Sequence, residues 1–399
     1  MNTKEHIGLC EQYSARNYLP LPIVLSKGNG IWVEDVEGRR YLDMLSSYSA
    51  LNQGHRHPKI LAALREQTDR LCLTSRAFHH DTFGPFCKAL TKACGFEQAL
   101  PMNTGVEAVE TAVKAARRWG YRVKGVEPDK AEIVVCSGNF HGRTTAVVSF
   151  STERLYRDGF GPYMPGFSVI PYNDLAALES AIGKNTVAFL VEPIQGEAGI
   201  NVPAAGYVAG AKAVCKKHNV LFMLDEIQTG LGRTGKLFCY EYENAKPDVL
   251  IVGKALGGGC FPVSAMLSSK AVMDAAFEPG NHGSTFGGNP LACAVGIAAL
   301  EVIAEERLVE NSFRMGEYLR SELAKLNSKH VAEIRGKGLL NGVEIRKESG
   351  PARPFCEKLA ELGILAKETH GTVIRLAPPL IITKEEMGWA IERIAQVLR

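Results

Sequence analysis

Val220-Leu221-Phe222-Met223-Leu224-Asp225-Glu226 and, further on, Val249-Leu250-Ile251-Val252-Gly253-Lys254 carry the deciding pattern. Each is a short, unbroken apolar run that ends abruptly in charge. Such runs suit strands buried on both faces. Two others behave alike. Ile133–Cys136 leads into Ser137-Gly138-Asn139-Phe140-His141-Gly142-Arg143, and Val187–Val191 leads into Glu192. Helix-period stretches, Leu175–Ile182 and Val208–His218, lie between them. This alternation predicts an α/β fold on a mostly parallel sheet flanked by helices. Ligands of open α/β sheets bind outside the carboxyl ends of the strands. Glu192, Asp225, Lys254 and Arg143 are therefore expected to converge on one site.

Outward from this centre the rhythm changes. After about residue 290, two long helical patterns (Leu291–Glu305 and Asn311–Leu326) precede the strand-like Val331–Arg335 and Gly342–Arg346. A helix near Pro354–Leu362 and runs around Ile364–Ala366 and Thr372–Leu376 follow, and Thr383-x-x-Glu386 is a capping box that opens a last helix. The expected division is an N-terminal segment over 1–50, a large domain over 51–290 and a small α+β domain over 291–399. The first fifty residues read as irregular, apart from a hairpin of Ile31-Trp32-Val33 and Tyr41-Leu42 around Val36-Glu37-Gly38.

The 399 residues are 46% hydrophobic and 22% charged, with a formal net charge of +3. That balance fits a globular chain and argues against a general nucleic-acid binder. No stretch has the unbroken apolar length of a membrane span. The ten cysteines contain no C-x-x-C pair and read as reduced thiols. With no apolar leader at the N-terminus, the expected location is cytoplasmic.

Asp225 and Lys254 end neighbouring runs. The two could form an ion pair, or they could serve pyridoxal phosphate. A lysine amine forms a Schiff base with its aldehyde, and a carboxylate keeps its ring nitrogen protonated. Gly257-Gly258-Gly259 lets backbone approach a bulky ligand. Asn103-Thr104-Gly105-Val106-Glu107-Ala108 follows the strand-like Ala99-Leu100-Pro101 and opens an Ala-rich helix. Thr104-x-x-Glu107 caps it, and the free N–H groups of its first turn suit a phosphate. Gly283-Ser284-Thr285-Phe286-Gly287-Gly288 is a second hydroxyl-bearing loop before a helix. Gly230-Leu231-Gly232-Arg233-Thr234-Gly235 matches the dinucleotide fingerprint, but Asp225–Thr229 separates it from the strand and no helix starts after it. His55 with His57, and His79 with His80, lack zinc-ligand spacing and read as packing or surface residues; no metal site is expected.

These pieces resemble the class III (subgroup II) pyridoxal-phosphate aminotransferases of fold type I, most closely the ornithine branch. The resemblance rests on Leu45–Ala50, Pro101–Ala108, Val191–Gly199, Leu224–Gly230, Gly253–Leu256 and His282–Thr285, and it runs over nearly the whole chain. It implies that Lys254 carries the cofactor and Asp225 pairs with its ring nitrogen, both catalytic. It places Gln228 on the phenolic oxygen, and Phe140 and Ile227 on the two faces of the ring. Thr104, Gly105, Val106 and Ser284 fall to the phosphate side, with Thr285 reaching in from the second subunit of a homodimer. Tyr18, Tyr48 and Arg143 hold ornithine, with Arg143 on its α-carboxylate. Arg375 takes a carboxylate of glutamate or 2-oxoglutarate, and Glu197 masks Arg375 while ornithine is bound. The implied reaction moves the δ-amino group of ornithine to 2-oxoglutarate; relatives of the same family act on N-acetylornithine or 4-aminobutyrate. Position 141 is His, where animal ornithine enzymes usually carry Trp and acetylornithine enzymes carry His.

Overall fold

The seven-stranded central sheet of the computed structural model, which describes residues 1–399, orders its strands Gln98–Met102, Ser264–Ser268, Val249–Val252, Leu221–Asp225, Thr186–Val191, Glu132–Cys136 and Phe167–Ile170. All pairs from Val249–Val252 onward are parallel. Only Ser264–Ser268 runs against both its neighbours. The four predicted apolar runs are strands here within a residue or so. Thr186–Val191, Leu221–Asp225 and Val249–Val252 are buried throughout, because helices cover both faces of the sheet.

Helix Gly105–Trp119 shows how one face is covered. Its Ala108, Val109, Ala112, Val113, Ala115 and Ala116 are buried, so small residues let it lie close on the sheet. Helices Leu175–Ala181 and Tyr207–Lys217 fall where the sequence pattern put them. On the C-terminal side, Val331–Lys337, Leu340–Ile345, Val373–Leu376 and Lys367–Thr369 form a four-stranded antiparallel sheet. Helix Leu308–Ala324 packs on this sheet, and Lys384–Leu398 packs on that helix. Thr383 and Glu386 make the expected reciprocal capping bonds.

The first fifty residues are corrected in two places. Residues Thr3–Tyr13 form a helix capped by Asn2 and Glu5, and Leu25–Asn29 is a strand. The expected hairpin is present as Trp32–Asp35 and Arg40–Asp43. Ile364–Leu365 adds to it in parallel, so the third sheet joins the two ends of the chain. All ten cysteines are free. No helix is long and apolar enough to cross a membrane. His55 and His57 each bind a carboxylate, Asp43 and Glu306, at 2.8 Å.

Candidate active site

The carboxyl ends of the parallel strands meet at a cavity of about 180 Å³. Strand Leu221–Asp225 delivers Asp225 to its floor, and Ile227 and Gln228 follow. Strand Val249–Val252 delivers Lys254 through Gly253. The loop after Cys136 supplies Phe140 and His141, and the start of helix Gly105–Trp119 supplies Gly105 and Val106. All these residues line the one cavity, with Glu192 and Thr229. Neighbouring Glu226 points the other way, where it accepts N–H bonds from Cys239 and Tyr240 at 2.8 and 2.9 Å.

Asp225 is 5% exposed. One oxygen accepts the Ile227 N–H at 3.0 Å, and the other meets Nδ1 of fully buried His141 at 2.7 Å. Burial opposes charge on that imidazole, but the bond to Asp225 and the nearby carboxylates outweigh it and raise its pKa. Burial pushes Glu192 up to about 7. Its oxygens accept the N–H groups of Phe140 at 3.0 Å and Gly196 at 3.4 Å, which fixes the loop carrying His141. Lys254 adopts a left-handed backbone, φ 44°, a strained state for a side chain with a Cβ. Burial lowers the pKa of its amine, and the charge of Arg375 lowers it further. A depressed ammonium is the state that a nucleophilic lysine needs.

Glu197 and Arg375 form an ion pair at 2.8 Å beside the cavity. Arg375 is 2% exposed and also donates to the Gly196 carbonyl at 3.3 Å. Gln228 donates to the same Glu197 oxygen at 3.0 Å. Burial works against the Glu197 charge, yet Arg375 and Lys254 hold its carboxyl down at about 2. The Tyr48 ring lies 5.2 Å from the Arg375 guanidinium. Arg143 differs. It is exposed, and its guanidinium sits 4.5 Å from the ring centre of Tyr156, 5.6 Å from Tyr18 and 5.8 Å from Phe140.

Not every expected residue reaches this cavity. Thr104 caps its helix: its N–H donates to Glu107 at 2.7 Å, and it lines an adjoining cavity with Ser47 and Lys254. Ser284 accepts from the Asn103 side chain at 2.9 Å, outside the cavity lining. Thr285 is exposed and does not line the cavity of its own chain. The G-x-G-x-x-G match is a run of turns. Arg233 within it is fully buried and bonded to Leu339, Pro378 and Asn52. Two contacts were not foreseen. The His141–Asp225 bond spans the sequence without any local signal. Tyr156 lies in the short helix Arg154–Arg157, and nothing in the local sequence marks it.

The model of the Aminotransferase class-III family matches residues 13–398. The chain belongs to the class III aminotransferases. It is 60% identical over 395 residues to the ornithine aminotransferase of a Geobacillus strain, covering 99% of this chain and 98% of that one. It is 58% identical over 398 residues to the ornithine aminotransferase of a Bacillus cereus strain, at 100% of both lengths. Among solved structures it resembles the ornithine aminotransferase of Toxoplasma gondii, in which PLP partially occupies the active site. The TM-score is 0.98 at 45% identity, over 100% of this chain and 94% of that one. The acetylornithine aminotransferase of Elizabethkingia anophelis gives a TM-score of 0.90 at 48% identity, over 100% and 99%.

Class III aminotransferases use pyridoxal phosphate, and the cavity fits it. Gln228 Oε1 is buried with no partner, as a phenolic hydroxyl requires. A Cβ on Gly105 would come to 3.0 Å from the Ile227 side chain, so a larger residue there would press Ile227 into the cavity. The first-turn N–H groups at Gly105 and Val106 have no acceptor within their own helix, which suits an anion.

Proposed function

We propose that this aminotransferase moves the δ-amino group of L-ornithine to 2-oxoglutarate, giving glutamate 5-semialdehyde and glutamate. The carrying observation is that Glu197 neutralises Arg375 while Arg143 has no carboxylate partner. Ornithine has one carboxylate and two amines. Docked on Arg143, it presents its δ-amine to the cavity; docked on Arg375, it would present its α-amine. The bound cofactor supplies an aldehyde that accepts the amino group and a ring that takes up the electron pair of the neighbouring C–H bond. Lys254 holds the cofactor, and its Nζ then takes the proton from the substrate δ-carbon. Asp225, braced by His141, keeps the ring nitrogen protonated. Gln228 holds the phenolic oxygen, and Phe140 and Ile227 flank the ring. Gly105 and Val106 bind the phosphate with Thr104 and Ser284 beside them, and Thr285 comes from the second subunit of a homodimer. Tyr18 and Tyr48 bound the ornithine end, and 2-oxoglutarate and glutamate use Arg375 once Glu197 swings aside.

Residues 51–290 act as the large cofactor-binding domain and 291–399 as the small one, with 1–50 as an N-terminal segment. Ten free cysteines support a cytoplasmic setting. N-acetylornithine is the competing substrate, favoured by His141 and by the Elizabethkingia likeness. A two-substrate assay separates them: ornithine should be turned over with a higher kcat/KM and yield the cyclising δ-product. Preference for N-acetylornithine would refute the assignment.

A further inference from the structure

Residues Ser46, Ser47, Tyr48 and Ser49 have φ of 50°, 46°, 59° and 75°. Four successive residues, none of them glycine, thus form one turn of left-handed helix. The Cβ of each crowds its own carbonyl there, and such residues normally occur singly. The turn gains little from its side chains: Ser46 and Ser49 are 0% and 1% exposed, and their hydroxyls have no partner. Strain of this kind persists only where the surroundings over-determine it.

The surroundings are visible. One oxygen of Asp43 accepts the N–H groups of Leu45 and Ser46, each at 2.8 Å, which caps the turn. Its other oxygen meets His55 Nε2 at 2.8 Å. The His55 backbone is itself pinned, with both its N–H and C=O bonded to Gly30 at 2.7 and 3.0 Å. On the far side, the Ala50 and Leu51 N–H groups close onto the Ser46 carbonyl at 2.9 and 3.1 Å. The outcome is a rigid mount for the Tyr48 ring, 5.2 Å from the Arg375 guanidinium. Right-handed backbone at 46–49 would aim that ring elsewhere.

We propose that Asp43 and His55 are specificity-determining positioning residues: they clamp the left-handed turn Ser46–Ser49 and so hold Tyr48 against Arg375. This rests on the reading that Arg375 is the dock which ornithine must avoid. Neither Asp43 nor His55 lines the Lys254 cavity; both line the neighbouring one, together with Tyr18, Ser47 and Tyr48, so the clamp stands directly behind the ring it holds.

The test uses the cofactor-loaded enzyme and two readouts: melting temperature, and the ratio of δ- to α-product from ornithine. Ser47→Gly removes steric strain at φ 46° without touching Asp43. It should raise the melting temperature by about 1–3 °C yet lower the δ-to-α ratio about threefold, because the mount loosens. A purely structural turn could not move the two readouts in those opposite senses. His55→Ala should lower the ratio about tenfold, whereas His55→Gln, which can still donate to Asp43, should restore most of it. Tyr48→Ala is the control for the underlying reading. If it shifts the ratio while Ser47→Gly and His55→Ala do not, the clamp is refuted and the docking scheme stands. If Tyr48→Ala leaves the ratio unchanged while Glu197→Gln shifts it, Tyr48 does not act on the dock and the clamp is refuted; if neither variant shifts it, the docking scheme itself fails.

Discussion

Two arginines stand outside the lining of the Lys254 cavity, both within electrostatic reach of Tyr48, and meet opposite company. Arg375 is buried against a carboxylate at 2.8 Å, whereas Arg143 is exposed among three aromatic rings. Ring faces attract a guanidinium through their quadrupole but leave its charge intact, whereas a carboxylate cancels it. An incoming carboxylate therefore finds a free cation at Arg143, and at Arg375 it finds one that must first lose Glu197. The residue type is the same and always charged. What differs is the partner; on the docking scheme proposed above, the choice of dock would lie in the neighbours and not in the arginines.

The largest test removes the point from which both docks are measured. Lys254→Ala should lower turnover by about 10²–10⁴-fold through loss of proton transfer alone. After borohydride reduction, the pyridoxyl label should be absent from the variant and map to Lys254 in the wild type; a label on another lysine sinks the assignment. Arg143→Lys keeps the charge but loses the fork. It should lower kcat/KM for ornithine by about 10–100-fold, the worth of one charge-assisted hydrogen bond. An unchanged value would make the aromatic surround, not the cation, the feature that matters. Asp225→Asn should weaken cofactor retention by about the same factor, read by dialysis against buffer, with a larger loss of activity. Glu197→Gln unmasks the other dock and should shift the δ-to-α product ratio by about tenfold, equivalent to about 1.4 kcal/mol. An unshifted ratio would transfer regiospecificity to Tyr18 and Tyr48.

The smallest effect is in acid. The Glu197 carboxyl falls from 4.5 to about 2 on folding. Its contribution to stability is thus fully present above pH 4.5 and lost as pH falls through about 2. Unfolding curves of wild type and Glu197→Gln should keep a constant separation above about pH 5 and converge below it. A gap that persists at pH 2 would mean that the pair does not hold Glu197 ionised.

The central sheet was legible because its strands are buried on both faces, so Val249–Val252 and its neighbours read as pure apolar runs. Helix Thr3–Tyr13 was not, because none of its residues is buried and no apolar stripe marks it. The Asn2-x-x-Glu5 box was its one local sign. Strand Ser264–Ser268 hid for a different reason: serines at both ends break the apolar run although all five residues are buried. At the site, strand-end charge pointed to Asp225 and Lys254 from chemistry alone. The Glu197–Arg375 pair came through family resemblance, since 178 residues separate the partners. The His141–Asp225 bond needed the fold, because neither residue's neighbours reveal that the loop after Cys136 reaches past the intervening strand Thr186–Val191 to the end of Leu221–Asp225.

Time enters through the third sheet and the masked dock. The last strand of the central sheet ends at Ser268, but Ile364–Leu365 and Arg375 come later in the chain. At a synthesis rate of about 5–20 residues per second, the interval is on the order of 5–20 s. For that period a growing chain holds the strands that carry Lys254 and Asp225, while Glu197 still lacks its arginine and Arg40–Asp43 its parallel neighbour. Arg375 is therefore among the last of the candidate site residues that the growing chain supplies.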